Sequence, residues 1–161
     1  MKKFVSLLLA MLMVLSLVAC GGDGGQSNTN SGDKVIKIGV FEPLSGDSAS
    51  GGKKEVLGMQ YANSETPTVE LNGETYKVEL VLSDNGSSTD KAPSAASDLV
   101  SKGVSLVLGT YGSGAAMAGG PKFGEAGIAA IGVTCTNPNV TAGNDYYFRI
   151  CFLDNFQAQV L

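Results

Sequence analysis

Histidine is absent from the 161 residues, and with it the side chain most used as a general base near neutral pH and as a metal ligand. No catalytic Cys-His pair can form, and a hydrolytic serine at Ser45 or Ser113 would lack its usual base. Tryptophan is missing and aromatics make up only 7% of the chain, yet the 43% hydrophobic content suffices for one globular core. Basic residues are also scarce. Lys2 and Lys3 fall in the first 19 residues, which hold no acid; beyond them nine basic residues face fifteen acidic ones. Such a surface, without a basic stripe, repels phosphate backbones and argues against nucleic acid as a partner. Nothing in the composition calls for a cofactor or a metal.

What is present begins with an address. MKKFVSLLLAMLMVLSLVAC has two lysines, an apolar run from Phe4 to Ala19, and then Cys20. The run is shorter than the roughly 20 residues that span a bilayer and fits a signal peptide over residues 1–19. Leu17-Val18-Ala19-Cys20 resembles the bacterial lipobox, which implies cleavage before Cys20 and attachment of lipid to its thiol. Two acyl chains on one cysteine anchor stably. The polar, glycine-rich stretch over residues 20–34 then reads as a flexible tether. The expected location is extracytoplasmic, lipid-anchored to the cell membrane, with contact to the membrane through the anchor only.

Residues 35–161 carry the pattern of a folded domain. Val35–Phe41 reads as a first strand, followed by a loop of turn formers from Glu42 to Gly52. A helix is expected over Lys53–Ala62. Thr68–Leu71 and Thr75–Leu82 flank Asn72-Gly73, a strong hairpin signal. A helix over Thr89–Lys102 ends at Gly103, where a C′ glycine belongs. Val104–Leu108 and Ile128–Val133 are apolar strands of the doubly covered kind. Between them lies a helix over Gly114–Glu125, with a possible break at Gly119-Gly120-Pro121. Tyr146–Cys151 reads as a last strand, and Asp154 as the cap of a final helix. The order predicts an α/β, doubly wound and mostly parallel sheet with helices on both faces. Ligands of such sheets bind beyond the carboxyl ends of the strands.

Two of the loops at those ends carry candidate chemistry. In VLGTYGSGAAMAGG, Val107 to Gly120, small residues let the backbone approach a ligand, and the helix start offers unpaired N–H groups. The motif is no P-loop, because Ala115 and Ala116 follow Gly114, and Gly112-Ser113-Gly114 does not complete GxGxxG. The loop reads either as an anion cradle with Ser113 as a further donor, or as a tight turn with Ser113 as a plain N-cap. Gly132-Val133-Thr134-Cys135-Thr136-Asn137-Pro138 offers carbonyls and two hydroxyls, suited to an ammonium group, or is a Thr/Asn-rich turn. Cys135 and Cys151 lie near the ends of two strands, and bridge and free thiols are equally open.

Five segments in order carry a resemblance that spans Val35 to Leu161: IKIGVFEPLSG, YKVELVLSDNGSS, ASDLVSKGVSLVLGTYGSG, GIAAIGVTCTNPNVT and YYFRICFLDNFQ. Together they resemble the solute-binding proteins of branched-chain amino acid ABC transporters, of the periplasmic binding protein type I fold. The resemblance implies that Ser113 and Thr136 hold an amino acid's carboxylate. Its ammonium would be held by the Thr134 carbonyl and by Thr136, with Tyr111 and Cys135 bordering the site. It implies no enzyme activity, an amino acid as small-molecule ligand, a permease with a cytoplasmic ATPase as partner, and a monomer. A sensor of the same fold that feeds a signalling receptor is the alternative. Gly51 stands where the family often has an aromatic, Ala158 where it usually has glycine, and no cysteine lies near residue 88. Up to Leu161 the resemblance spans only the family's first lobe, and it implies an N-terminal lobe, a truncated fragment of the two-lobe fold.

Overall fold

β1 (Val35–Glu42) is the middle strand of a six-stranded sheet in the computed structural model, which describes residues 34–160. The expected signal peptide, Cys20 and nearly all of the expected tether lie outside the described residues. On one side β1 pairs in parallel with β3 (Glu74–Asp84) along its whole length, Val35 opposite Lys77 and Glu42 opposite Asp84. On the other side it pairs with β4 (Leu106–Leu108), followed by β5 (Ala129–Gly132) and β6 (Tyr147–Arg149). The short β2 (Thr68–Leu71) returns antiparallel on β3 through the Asn72-Gly73 turn, where both residues have positive φ as that hairpin demands. The order is β2-β3-β1-β4-β5-β6. The chain first winds outward from β1 to β3, then crosses back to β4. The direction of winding therefore reverses between β1 and β4, and a crevice opens there at the carboxyl ends of the strands.

The expected doubly wound α/β sheet and its element order are observed, with shifted boundaries. α1 spans Ala49–Glu65 and so includes the glycines that were expected in the loop. Packing overrides propensity there: a Cβ on Gly52 would collide with the Pro43 carbonyl, and one on Gly51 would sit 2.6 Å from the Tyr111 ring. α2 is Ala92–Ser101 and α3 is Ser113–Glu125, unbroken through Pro121. The possible break at Gly119-Gly120-Pro121 does not occur. Gly119 lies against the Phe41 ring and Gly120 against that of Tyr147, so tertiary contact holds the helix where local preference is poor. A short α4 (Asp154–Val160) closes the described chain.

Alternation along β1 sends Phe41 to one face of the sheet and Glu42 to the other. On the first face, α2 and α3 cover a core of Phe41, Leu99, Val107, Phe123 and a set of buried alanines. Phe41 and Phe123 meet edge to face, with centroids 5.4 Å apart. On the second face lies α1. Between it and Ile38, Val78, Leu80, Leu108 and Ile131 runs an apolar groove of about 550 Å³.

The close approach of α3 to the Phe41 ring has a measurable price. A Cβ at Gly119 would fall 2.6 Å from Phe41 Cζ and 3.1 Å from the Ala92 carbonyl. Gly119→Ala is expected to lower the unfolding free energy by about 1–3 kcal/mol, read from the urea midpoint. An unchanged midpoint would show that the two layers part without cost.

Candidate functional site

Three loops meet at the carboxyl ends of β1, β4 and β5, and each is tied down by specific groups. The loop after β1 is held by Asp84 at the end of β3. Its Oδ1 accepts from the N–H groups of Leu44 (2.7 Å), Ser45 and Gly86, and its Oδ2 from the Ser45 hydroxyl (2.6 Å). Partial burial works toward a higher pKa for Asp84, but these donors outweigh it and hold the carboxyl below its usual range.

The loop after β4 is fixed from three strands. Gly109 has φ +126° and its would-be Cβ collides with the Phe41 carbonyl, so only glycine fits. The buried Tyr147 hydroxyl of β6 donates to the Gly109 carbonyl at 2.9 Å. Asn85, buried after β3, donates to the Thr110 hydroxyl at 2.8 Å. Glu42 Oε2 accepts from the Tyr111 N–H at 2.8 Å. Tyr111 itself lays its half-exposed ring on Gly51.

The loop after β5 is clamped by Arg149. Its guanidinium donates to the carbonyls of Cys135 (3.1 Å), Asn137 (2.8 Å) and Pro138 (3.1 Å), and to the Thr141 hydroxyl (2.8 Å). The Thr136 carbonyl accepts from the Asp154 N–H at the start of α4.

Against this frame the predicted residues differ in what they offer. Ser113 is the first residue of α3 and not its cap; Gly112 is the cap. Ser113 Oγ accepts from the Asn137 N–H at 3.1 Å, which joins the second and third loops and leaves the hydroxyl hydrogen to donate elsewhere. The first hydrogen bond of α3 runs from Ala116 to Gly112, so the N–H groups just before it face outward at the positive end of the helix. The Tyr111 N–H is not among the free donors, being spent on Glu42. Thr134 has the opposite polarity to Ser113. Its hydroxyl donates to Glu55 Oε1 at 2.5 Å, so its oxygen is left to accept. Among the described residues the Thr136 hydroxyl makes no hydrogen bond. Cys135 is wholly buried in the core, with its carbonyl taken by Arg149. Burial, and then the neighbouring Cys151, push its thiol up to about 11. Cys135 and Cys151 are both free thiols.

Sequence reasoning missed Glu42 and Glu55. Glu42 was grouped with a polar turn, but it is the last residue of β1 and fully buried. Glu55 of α1 lies beside it. Burial first, and then the neighbouring Glu55 carboxyl, push Glu42 up to about 9 from 4.5, against the pull of the Tyr111 N–H and the Thr110 hydroxyl. The only signal in the sequence was a carboxylate at the end of an apolar strand just before Pro43. No groups of three or more potential metal ligands come together among the described residues.

A model of the periplasmic binding protein family matches residues 35–161. The Leu/Ile/Val-binding protein homolog 3 of Brucella melitensis is 32% identical over 93% of this chain and 40% of its own. A leucine-binding protein LivK from Thermotoga maritima superposes with a TM-score of 0.72 and 34% identity, over 78% of this chain and 35% of its own. The branched-chain amino acid transporter substrate-binding protein LivJ from Streptococcus pneumoniae, solved with isoleucine, gives 0.67 and 34%, over 75% and 35%. The chain thus spans about two fifths of the length of the Brucella relative.

Two outcomes follow from this geometry. Because the folded state holds the Glu42 proton more tightly than the unfolded one, its contribution to stability is full below about 4.5 and is lost as pH rises through about 9. Glu42→Gln is expected to remove that slope in denaturant titrations across this range; an equally steep slope in the variant would place the proton elsewhere. Arg149→Ala should release the third loop, seen as faster amide hydrogen exchange over residues 135–141 and unchanged exchange in β1.

Proposed function

Since this chain belongs to the periplasmic binding protein family and has the fold of one lobe of its type I members, we propose that it captures a free amino acid, of branched-chain or similar type, for an ABC importer. The ligand's carboxylate is held at the start of α3 by the Ser113 hydroxyl and the adjacent N–H groups, with Thr136 donating from the third loop. Its ammonium is held by the Thr134 carbonyl and hydroxyl oxygen. Tyr111 forms the wall beside the side chain, and Cys135 borders the site through its backbone alone. No bond is made or broken; binding delivers the solute to a permease with a cytoplasmic ATPase. In this reading the chain works as a monomer outside the cytoplasm, anchored by lipid at Cys20.

One observation carries the proposal: the two hydroxyls have opposite, fixed polarity. Ser113 spends a lone pair on Asn137 and keeps its hydrogen, while Thr134 spends its hydrogen on Glu55 and keeps its lone pairs. A cleft that donates from one loop and accepts from the next is matched to a zwitterion. An inorganic anion or a simple carboxylate would use only the first half.

The test is a calorimetric panel on the full-length protein, comparing amino acids with the acids and amines that lack one charged group. An amino acid should bind and its one-charge analogues should not. Ser113→Ala and Thr136→Ala should each weaken binding by about 1–3 kcal/mol, the cost of a lost hydrogen bond to a charged group. Full affinity in both variants would remove these residues from the site.

A further inference from the structure

Glu42 and Glu55 each carry one side-chain oxygen that is buried without a hydrogen-bond partner of the ordinary kind, Oε1 of Glu42 and Oε2 of Glu55. Two ionised carboxylates cannot stay in contact away from water, and two fully protonated ones would forgo the charge that their donors stabilise. The arrangement that satisfies both orphan oxygens is one proton held between them. The remaining oxygens are each engaged by a group of the cleft. Glu42 Oε2 takes the Tyr111 N–H and Glu55 Oε1 takes the Thr134 hydroxyl.

Among the described residues neither Glu42 nor Glu55 takes part in a salt bridge. Opposite Glu42 on β3 stands Asp84, whose carboxyl is saturated by the first loop. From the loop after β4 come the Thr110 hydroxyl and the Tyr111 N–H, and from β6 the Tyr147 hydroxyl, which is bonded to the Gly109 carbonyl. From α1 comes Glu55 itself. The pair therefore keeps a net negative charge with one exchangeable proton, directly behind the oxygen that Thr134 presents to the cleft.

We propose that Glu42 and Glu55 form one proton-sharing acid that sets the ammonium side of the cleft, acting on the ligand through the Thr134 hydroxyl. This rests on the amino-acid reading above and adds to it a counter-charge within this lobe. Glu55 is a positioning residue: it fixes the Thr134 hydroxyl as an acceptor. Glu42 supplies the proton. When the ligand's ammonium arrives, the pair's fully ionised form is favoured, and the proton passes to the buffer. A carboxylic acid without an amino group has no such effect.

The experiment is calorimetry on the full-length protein near pH 8, in two buffers of different ionisation enthalpy. The probes are L-leucine, L-isoleucine and L-valine, each beside its desamino acid. The wild type is expected to release a fraction of a proton with the amino acids and none with the desamino acids. Glu55→Gln should weaken the amino acids by about tenfold, the loss expected when a charge-assisted contact goes, and leave the desamino acids unchanged. Glu42→Gln keeps the buried side chain's size and neutrality and should abolish the proton release. A release that persists in Glu42→Gln, or wild-type affinity in both variants, overturns the proposal and leaves the amino-acid reading standing. If none of the three amino acids binds the wild type, both fall together.

Discussion

Glu42 ends the middle strand with its side chain wholly buried, and a carboxyl in that position is tolerated only when it is neutral or fully paired. Much of the geometry of the cleft satisfies this requirement. The Tyr111 N–H is drawn down onto Glu42, which fixes the turn that precedes α3. Glu55 is drawn in from α1, and Thr134 follows it from the third loop. Three elements that are distant in sequence thus converge on one buried group. The crevice between β1 and β4 would exist by topology alone, but its polar lining has a set direction because of this contact.

The loops themselves are stiffened before any ligand is present. Tyr147, Asn85 and Glu42 hold the second loop from three strands, Arg149 takes three carbonyls of the third, and Asp84 takes two N–H groups and a hydroxyl of the first. A cleft organised in this way loses little conformational freedom on binding. The small residues of α2 and α3 serve the same end. They bring the helices close to the sheet, so that Gly119 rests on Phe41 and the start of α3 is aimed over the strand ends.

The fold was largely legible in the sequence. Apolar runs, the Asn72-Gly73 hairpin and the glycine after α2 mark the elements in their observed order. Boundaries slipped where contact overrode local preference: α1 starts earlier because Tyr111 and Pro43 cover its glycines, and α3 runs through Pro121 because Phe41 and Tyr147 pack on it. The site was legible in half. Ser113 and Thr134 stood out as polar groups in small-residue loops, but the polarity of their hydroxyls depends on Asn137 and Glu55, which no periodicity connects to them. Glu42 was hidden for a similar reason. A single acid beside a proline looks like a turn, and only the sheet shows that its side chain points inward. Cys135 follows the end of β5 with its side chain wholly buried, a burial that no sequence periodicity past the strand could show.

Glu55 has a second face. Besides holding Thr134, it lines the apolar groove between α1 and the sheet. The polar cleft and the dry groove are therefore not separate surfaces: one residue of α1 forms part of both. Both meet on the face of the sheet that α1 covers. A change in how α1 lies on the sheet would move Glu55 and with it the Thr134 hydroxyl that it holds.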